Sequence, residues 1–247
     1  MGERFMPGID GGVLEKEHLA RYCFACSFVA GLRVADIACG AGYGSQILAE
    51  AGAVSVFGAD VSESAVAHCK DRYRNARVTY VVADAQHLSG IADHAFDMVV
   101  SFETIEHLPD VTAYLGEIAR ILKPGGKYLV STPDRRVSSV MHPFTRRPSN
   151  KYHVREWVGR EFLDLLSTRF QIDSCYGQEF LSWWLVWWPI QVFIKAGCRI
   201  LRSSWAREFV EVVYSNRGNV EVMPPRSRWR IPKYWVISCI RPDSSHD

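Results

Sequence analysis

Through the first half of the chain, apolar runs of strand length alternate with stretches whose apolar residues recur every three to four positions. That alternation is the pattern of βαβ units, which build a parallel sheet with helices on both faces. Leu32–Ala38, Val54–Ala59 closed by Asp60, Val78–Ala83, Phe96–Phe102 and Lys127–Ser131 read as the first five strands. Helices are predicted over Glu15–Ala30 and Gly44–Glu50, then from a Ser62 cap through Lys70, and from Asp110 to the stop signal Lys123-Pro124-Gly125-Gly126. After a loop holding Pro133, Pro143 and Pro148, Val154–Ser167 has helical periodicity, and Phe170–Cys175 and Tyr234–Ile240 read as two more strands. A long segment, 177–232, separates those two and has no counterpart in a minimal domain.

With 247 residues, 48% of them hydrophobic and 23% charged, the chain can bury the core of a single α/β domain. Its net charge of +2 is too small to suggest a nucleic-acid partner. No apolar run follows the opening MGERFMPGID, so neither a signal peptide nor an N-terminal anchor is expected, and a cytoplasmic location follows by default. Seven scattered cysteines read as reduced thiols, and the Cys23/Cys26 pair as helix packing, because no second pair completes a zinc site.

The first strand runs into Asp36-Ile37-Ala38-Cys39-Gly40-Ala41-Gly42-Tyr43-Gly44, a turn that lets a ligand approach the backbone closely. A related turn holds the pyrophosphate of nicotinamide and flavin cofactors, normally spaced G-x-G-x-x-G. Here the glycines fall at 40, 42 and 44, and the carboxylate of Asp36 would repel a pyrophosphate. It would attract the ammonium of the methionine moiety of S-adenosylmethionine, by a few kcal/mol before desolvation at an effective dielectric of about 20. Asp60 can accept from ribose hydroxyls, as acids do in many nucleoside sites. Asp84 can accept from an adenine amino group while the Ala85 amide donates to the ring.

The ordered motifs DIACGAGYG, GADVSESAV, VVADAQHL, FDMVVSFETIEHLPD and ILKPGGKYLVSTP, within roughly residues 31–132, resemble the class I methyltransferases. The resemblance implies a Rossmann-like seven-stranded sheet with an antiparallel last strand and S-adenosylmethionine as cofactor. It implies cofactor contacts from Asp36, Gly40, Gly42, Gly44, Asp60, Val61, Asp84 and Ala85, with the Ser101-Phe102-Glu103 loop against the methionine end. The organisation expected is an N-terminal lid or helix (1–30), a cofactor-binding core (31–132), an acceptor-side region (133–176), a Trp-rich basic insertion (177–232), and the last strand with its tail (233–247). Gly2–Gly8 resembles the lid of methyltransferases from saccharide and cell-surface glycan pathways.

Methyl transfer is an in-line displacement, so the protein must align donor and acceptor and remove a proton where the acceptor carries one. Glu103, Glu106 and His107 lie at the strand end where the acceptor would sit. His107 is a candidate general base because imidazole titrates near neutrality. His153 competes with it: with Tyr152 and Arg155 it resembles a motif of the glycan-pathway enzymes, just before a predicted helix. No convincing metal-ligand cluster of His and carboxylates is legible beyond the cofactor acids, so the sequence assigns no metal ligands and leaves a magnesium-assisted mechanism open but without support.

Leu181–Ile194 is apolar and holds Trp183, Trp184, Trp187 and Trp188, but Pro189 interrupts it and it is shorter than the roughly 20 residues a span requires. Residues 195–233 carry nine Lys or Arg against three Asp or Glu. Together these fit a lid, a homodimer contact, or peripheral contact of 181–207 with an anionic membrane or a phosphate-bearing substrate. The acceptor expected is a small molecule, a saccharide free or linked to lipid or nucleotide. The rivals are a quinone-like or other lipid precursor, or a cofactor-binding module without catalysis.

Overall fold

A computed structural model describes residues 13–139, 147–182, 221–225 and 230–243. The strands are β1 (Arg33–Ile37), β2 (Ser55–Asp60), β3 (Val78–Val82), β4 (Phe96–Phe102), β5 (Leu122–Pro133), β6 (Gln171–Ser182) and β7 (Arg230–Ile240). The helices are α1 (Val13–Cys26), α2 (Tyr43–Glu50), α3 (Glu63–Arg72), α4 (Val111–Ile121), α5 (Arg135–Ser138) and α6 (Gly159–Leu166). The strands form one seven-stranded sheet in the order β3-β2-β1-β4-β5-β7-β6. The β1–β5 pairs are parallel, and β7 runs antiparallel to both β5 and β6. This is the class I arrangement expected from the sequence.

Both faces of the sheet are covered, which is why its central strands read as continuous apolar runs. Alternate residues serve opposite cores. Val34, Met98, Val100 and Leu129 pack with Tyr22 and Ala25 of α1 and Leu48 of α2. Ala35, Val99, Tyr128 and Val130 pack with Leu115 and Ile118 of α4 and with Phe162 and Leu166 of α6. Ser62 caps α3 by accepting from the Ala65 amide, and Asp110 caps α4 by accepting from Ala113.

Three local expectations need correction. Helix α6 starts at Gly159 rather than Val154, because the amides of Val154 and Arg155 both donate to the Glu106 carbonyl and Trp157 forms a parallel bridge with Asp134. Those bonds keep 154–157 out of the helix. Strand β6 runs on to Ser182, and β7 begins at Arg230. The two ends of the 177–232 segment therefore belong to the sheet, and Gly177 and Met223 exchange both backbone hydrogen bonds. Helix α1 ends at Cys26, followed by a turn in which Gly31 has φ +76°.

The Gly2–Gly8 segment, Trp183, Trp184, Trp187, Trp188, Arg199, Arg202 and Arg207 lie outside the described residues. Among the described residues no helix is long and apolar enough to cross a membrane. None of the six described cysteines is in a disulfide.

Candidate active site

The strand order reverses direction between β1 and β4, and open α/β sheets bind ligands in the crevice beyond the carboxyl ends of the strands at that point. Two non-glycine residues flank it in the left-handed region: Ala38 after β1 (φ +62°) and Glu103 after β4 (φ +51°). Such backbone costs about 1–3 kcal/mol per residue and gathers where function demands it.

The glycines between β1 and α2 do different jobs. Gly40 has φ +56° and faces open space, with nothing within 4 Å of where a Cβ would stand. Its backbone is open to a ligand. At Gly42 (φ +79°) a Cβ would lie 2.5 Å from the Cys69 Sγ, and at Gly44 one would lie 2.0 Å from the Tyr22 ring. Those two let α3 and α1 close onto the turn.

Three carboxylates stand at or just after the ends of β1, β2 and β3. Asp36 is fully buried, and its two oxygens accept from the hydroxyls of Tyr22 (3.1 Å) and Ser45 (2.7 Å). Burial pushes its carboxyl up to about 6; the two hydroxyls oppose the rise, and the nearby Asp60 charge adds to it. Asp60 ties the turns after β1 and β2 together by accepting from the Gly40 and Ser62 amides, each at 2.9 Å. Val61 beside it is an exposed apolar side chain, suited to cover the face of a base. Asp84 accepts from the Gln86 amide, and that bond holds its carboxyl below the usual range. Ala85 next to it is buried.

At the end of β4, the Ser101 hydroxyl donates to the Ile37 carbonyl and ties β4 to β1. Glu103 receives the Ser131 hydroxyl at 2.7 Å. A 3-10 turn, Ile105–His107, then carries Glu106 into the interior. Glu106 is fully buried; Thr132 donates to its Oε2 at 3.0 Å, while Oε1 has no partner. Burial, with Glu103 close by, pushes this carboxyl well above the usual range.

His107 and His153 lie edge to face with ring centroids 4.8 Å apart. His107 Nδ1 lies 3.0 Å from the Tyr152 carbonyl oxygen, an acceptor, which places the ring proton on Nδ1 and the lone pair on Nε2. His153 is held on both sides. Its Nδ1 donates to Glu156 Oε1 at 2.6 Å, and its Nε2 accepts from the Asn150 amide at 3.0 Å. Glu156 also accepts from the Ser138 and Ser139 hydroxyls at 2.6 and 2.5 Å, and these bonds, His153 among them, draw its carboxyl below the usual range against its burial.

The sequence offered no convincing metal-ligand cluster, but the fold brings one candidate set of three residues together. Glu106, His107 and His153 offer ligand atoms that lie within 4.8 Å of one another. The loop at 150–155 returns onto the 3-10 turn and brings His153 to the other two, which no spacing in the chain could reveal.

The methyltransferase domain family model matches residues 35–130. A Mycolicibacterium smegmatis protein that carries the name of an S-adenosylmethionine-dependent methyltransferase is 35% identical over 178 residues, covering 71% of this chain and 66% of that protein. The ubiquinone biosynthesis O-methyltransferase of Xanthomonas oryzae is 38% identical over 166 residues, 63% of this chain and 69% of that protein. This chain belongs to the class I S-adenosylmethionine-dependent methyltransferases. It spans just under two thirds of the length of the M. smegmatis relative and 58% of that of two Mycobacterium tuberculosis relatives. Among solved structures, a Haloferax volcanii methyltransferase in complex with a methyltransferase activator shares the fold, with a TM-score of 0.64 and 20% identity over 93% of this chain and 92% of that one.

In this methyltransferase Asp36, Asp60, Asp84 and Glu103 stand at or just after the carboxyl ends of β1, β2, β3 and β4, and His153 is brought against His107. Two others are legible only in the structure. Glu156 stands inside the motif read around His153, but its burial was invisible. Arg21 carried one signal: Glu17, Arg21, Ala25 and Val29 repeat every four residues and all face inward. A helix whose apolar face includes two charges is unusual enough to mark a site.

Proposed function

We propose that this chain binds S-adenosylmethionine across the ends of β1–β4 and transfers its methyl group to an oxygen or nitrogen of a small-molecule acceptor, a saccharide. The observation that carries the reading is the set of carboxyls Asp36, Asp60 and Asp84 at the ends of three adjacent strands, around a turn where Gly40 is open to a ligand. An acid-lined crevice suits a cationic cofactor and opposes a pyrophosphate. The cofactor supplies an electrophilic methyl group on a sulfonium. The polypeptide binds and orients. Asp60 accepts from the ribose hydroxyls, Asp84 and Ala85 meet the base edge, and Asp36 supplies negative charge beneath the methionine end through Tyr22 and Ser45.

On the acceptor side His107 takes the proton that the acceptor loses, because its Nδ1–H is fixed on the Tyr152 carbonyl and the opposite nitrogen carries the lone pair. His153, anchored by Glu156 and Asn150, holds the His107 ring in place. A cofactor-binding module without catalysis would have no use for this arrangement.

The motif around Tyr152, His153 and Arg155 supports the saccharide. The Xanthomonas relative, by its name, acts on a ubiquinone precursor, which favours a phenolic acceptor as a second reading. Release of S-adenosylhomocysteine should be assayed with nucleotide-linked and lipid-linked sugars and, in parallel, with catechol-type phenols. Turnover on a sugar alone supports the first reading, turnover on a phenol alone the second. No product with any member of either set, from protein shown to bind the cofactor, would overturn both.

A further inference from the structure

The 3-10 turn after β4 carries Glu106 and His107, and the loop at 150–155 lays His153 against His107. The ligand atoms of these three residues lie within 4.8 Å of one another. Atoms so placed share a point within about 2.8 Å of each, and zinc holds imidazole nitrogen and carboxylate oxygen at about 2.0–2.2 Å. Each side chain therefore reaches a common ion by moving less than about 1 Å.

The partners of the two imidazoles are those that metal ligands use. An imidazole that binds a metal through one nitrogen donates its other N–H to a carboxylate or a backbone carbonyl, which fixes the tautomer and makes the ring a better ligand. Both histidines have such a partner: His153 Nδ1 donates to Glu156 Oε1 at 2.6 Å, and His107 Nδ1 to the Tyr152 carbonyl at 3.0 Å. Each Nε2 then carries a lone pair. The Asn150 amide donates to that of His153 at 3.0 Å, a neutral contact that a cation would replace.

Glu106 supplies an independent sign. It is fully buried, Thr132 donates to Oε2, and Oε1 has no hydrogen-bond partner. Taking a carboxylate out of water is costly unless it is paired, and a cation on Oε1 would offset that cost. The donor set also selects the ion. Two imidazoles with one carboxylate suit zinc and similar first-row divalent ions, whereas magnesium and calcium favour oxygen shells.

We propose that Glu106, His107 and His153 form a site for one divalent transition-metal ion of the zinc type, bound through Oε1 and the two Nε2 atoms, and that its occupancy switches the enzyme off. The site stands on its own geometry, while the switch rests on the reading of His107 as the base given above. A bound ion takes the lone pair that would receive the acceptor's proton. His107 is then a ligand in the metal-loaded chain and a base without the metal.

The test is titration of the purified full chain, stripped with a chelator and desalted, with Co2+ followed by visible absorption and then with Zn2+ in competition. One Co2+ per chain should give the d–d bands of a low-coordinate ion, without the thiolate charge-transfer band that binding at Cys23 and Cys26 would produce. Stoichiometric Zn2+ should bleach those bands, and a large excess of Mg2+ should not. Glu106→Gln, His107→Ala and His153→Ala should each weaken Zn2+ binding by at least about a hundredfold, and Glu156→Gln, which only supports a ligand, by about tenfold. Circular dichroism shows which variants fold; if Glu106→Gln does not, the histidine variants and Glu156→Gln decide. No Co2+ spectrum, a thiolate band, or Zn2+ affinity that survives in both histidine variants overturns the site. On an acceptor from the assay above, saturating Zn2+ should lower S-adenosylhomocysteine release by about a hundredfold, as loss of the base does. Unchanged release with Zn2+ bound overturns the base reading and leaves the site standing. Faster release overturns the switch, because the ion and not His107 would then handle the acceptor oxygen.

Discussion

Nδ1 of His153 stands 2.6 Å from Oε1 of Glu156, and the carboxylate that holds it also receives the hydroxyls of Ser138 and Ser139. A buried carboxylate with three donors is a fixed anchor, so the ring it holds has a fixed tautomer and orientation. His153 in turn stands against His107. The chain of contacts runs from α5 through the 150–155 loop to the end of β4.

Glu156→Gln keeps the shape of the anchor and removes its charge. Turnover should fall by about tenfold while cofactor affinity is unchanged, and Glu156→Asp should recover part of the loss. Steady-state kinetics beside calorimetry would check both. A drop in cofactor affinity equal to the drop in turnover would mean that Glu156 serves only the fold.

His107→Ala should lower turnover by about a hundredfold or more with cofactor affinity nearly intact, the effect of losing a positioned base. Turnover close to wild type would move the role to His153.

Removing the Asp60 carboxylate strips the ribose hydroxyls of a charged acceptor and unties Gly40 from the turn after β2. Asp60→Ala should weaken S-adenosylmethionine binding by about 1–3 kcal/mol. Unchanged affinity in calorimetry would show that the ribose lies elsewhere.

Burial raises the Asp36 carboxyl to about 6, with the Tyr22 and Ser45 hydroxyls as its direct partners and Asp60 as its nearest charged neighbour. Because the folded value lies above the ordinary one, the stabilisation from this group is complete below about pH 4 and is lost as pH rises through about 6. A cationic ligand favours the ionised form. Cofactor affinity should therefore increase as pH rises toward about 6 and level off above it, with a proton released on binding at the lower pH values. Titrations in buffers of different ionisation enthalpy would register that proton. Asp36→Asn should bind with little change over the same window; a slope retained in that variant would assign the proton to another group.

How much was legible in the chain follows from what each residue faces. The strands under both helical layers were readable because Val34, Val99 and Leu129 have apolar neighbours on both sides. The end of β6 was not, since Glu179 and Gln178 are polar yet buried against Arg21 and Lys233, and polar residues read as loop. The acids and the open glycine could be found because they follow strands in sequence. Arg21 lay on the inward repeat of Glu17, Ala25 and Val29, whereas Glu156 and the meeting of Glu106 with His153 depend on contacts between distant segments, which neither periodicity nor spacing encodes.

The most direct test of the cofactor reading is calorimetric titration of the wild-type chain with S-adenosylmethionine and, separately, with NAD. Saturable binding of S-adenosylmethionine at one site per chain, with no measurable heat from NAD, is the expected result. Binding of NAD, or no binding of S-adenosylmethionine by folded protein, would contradict it.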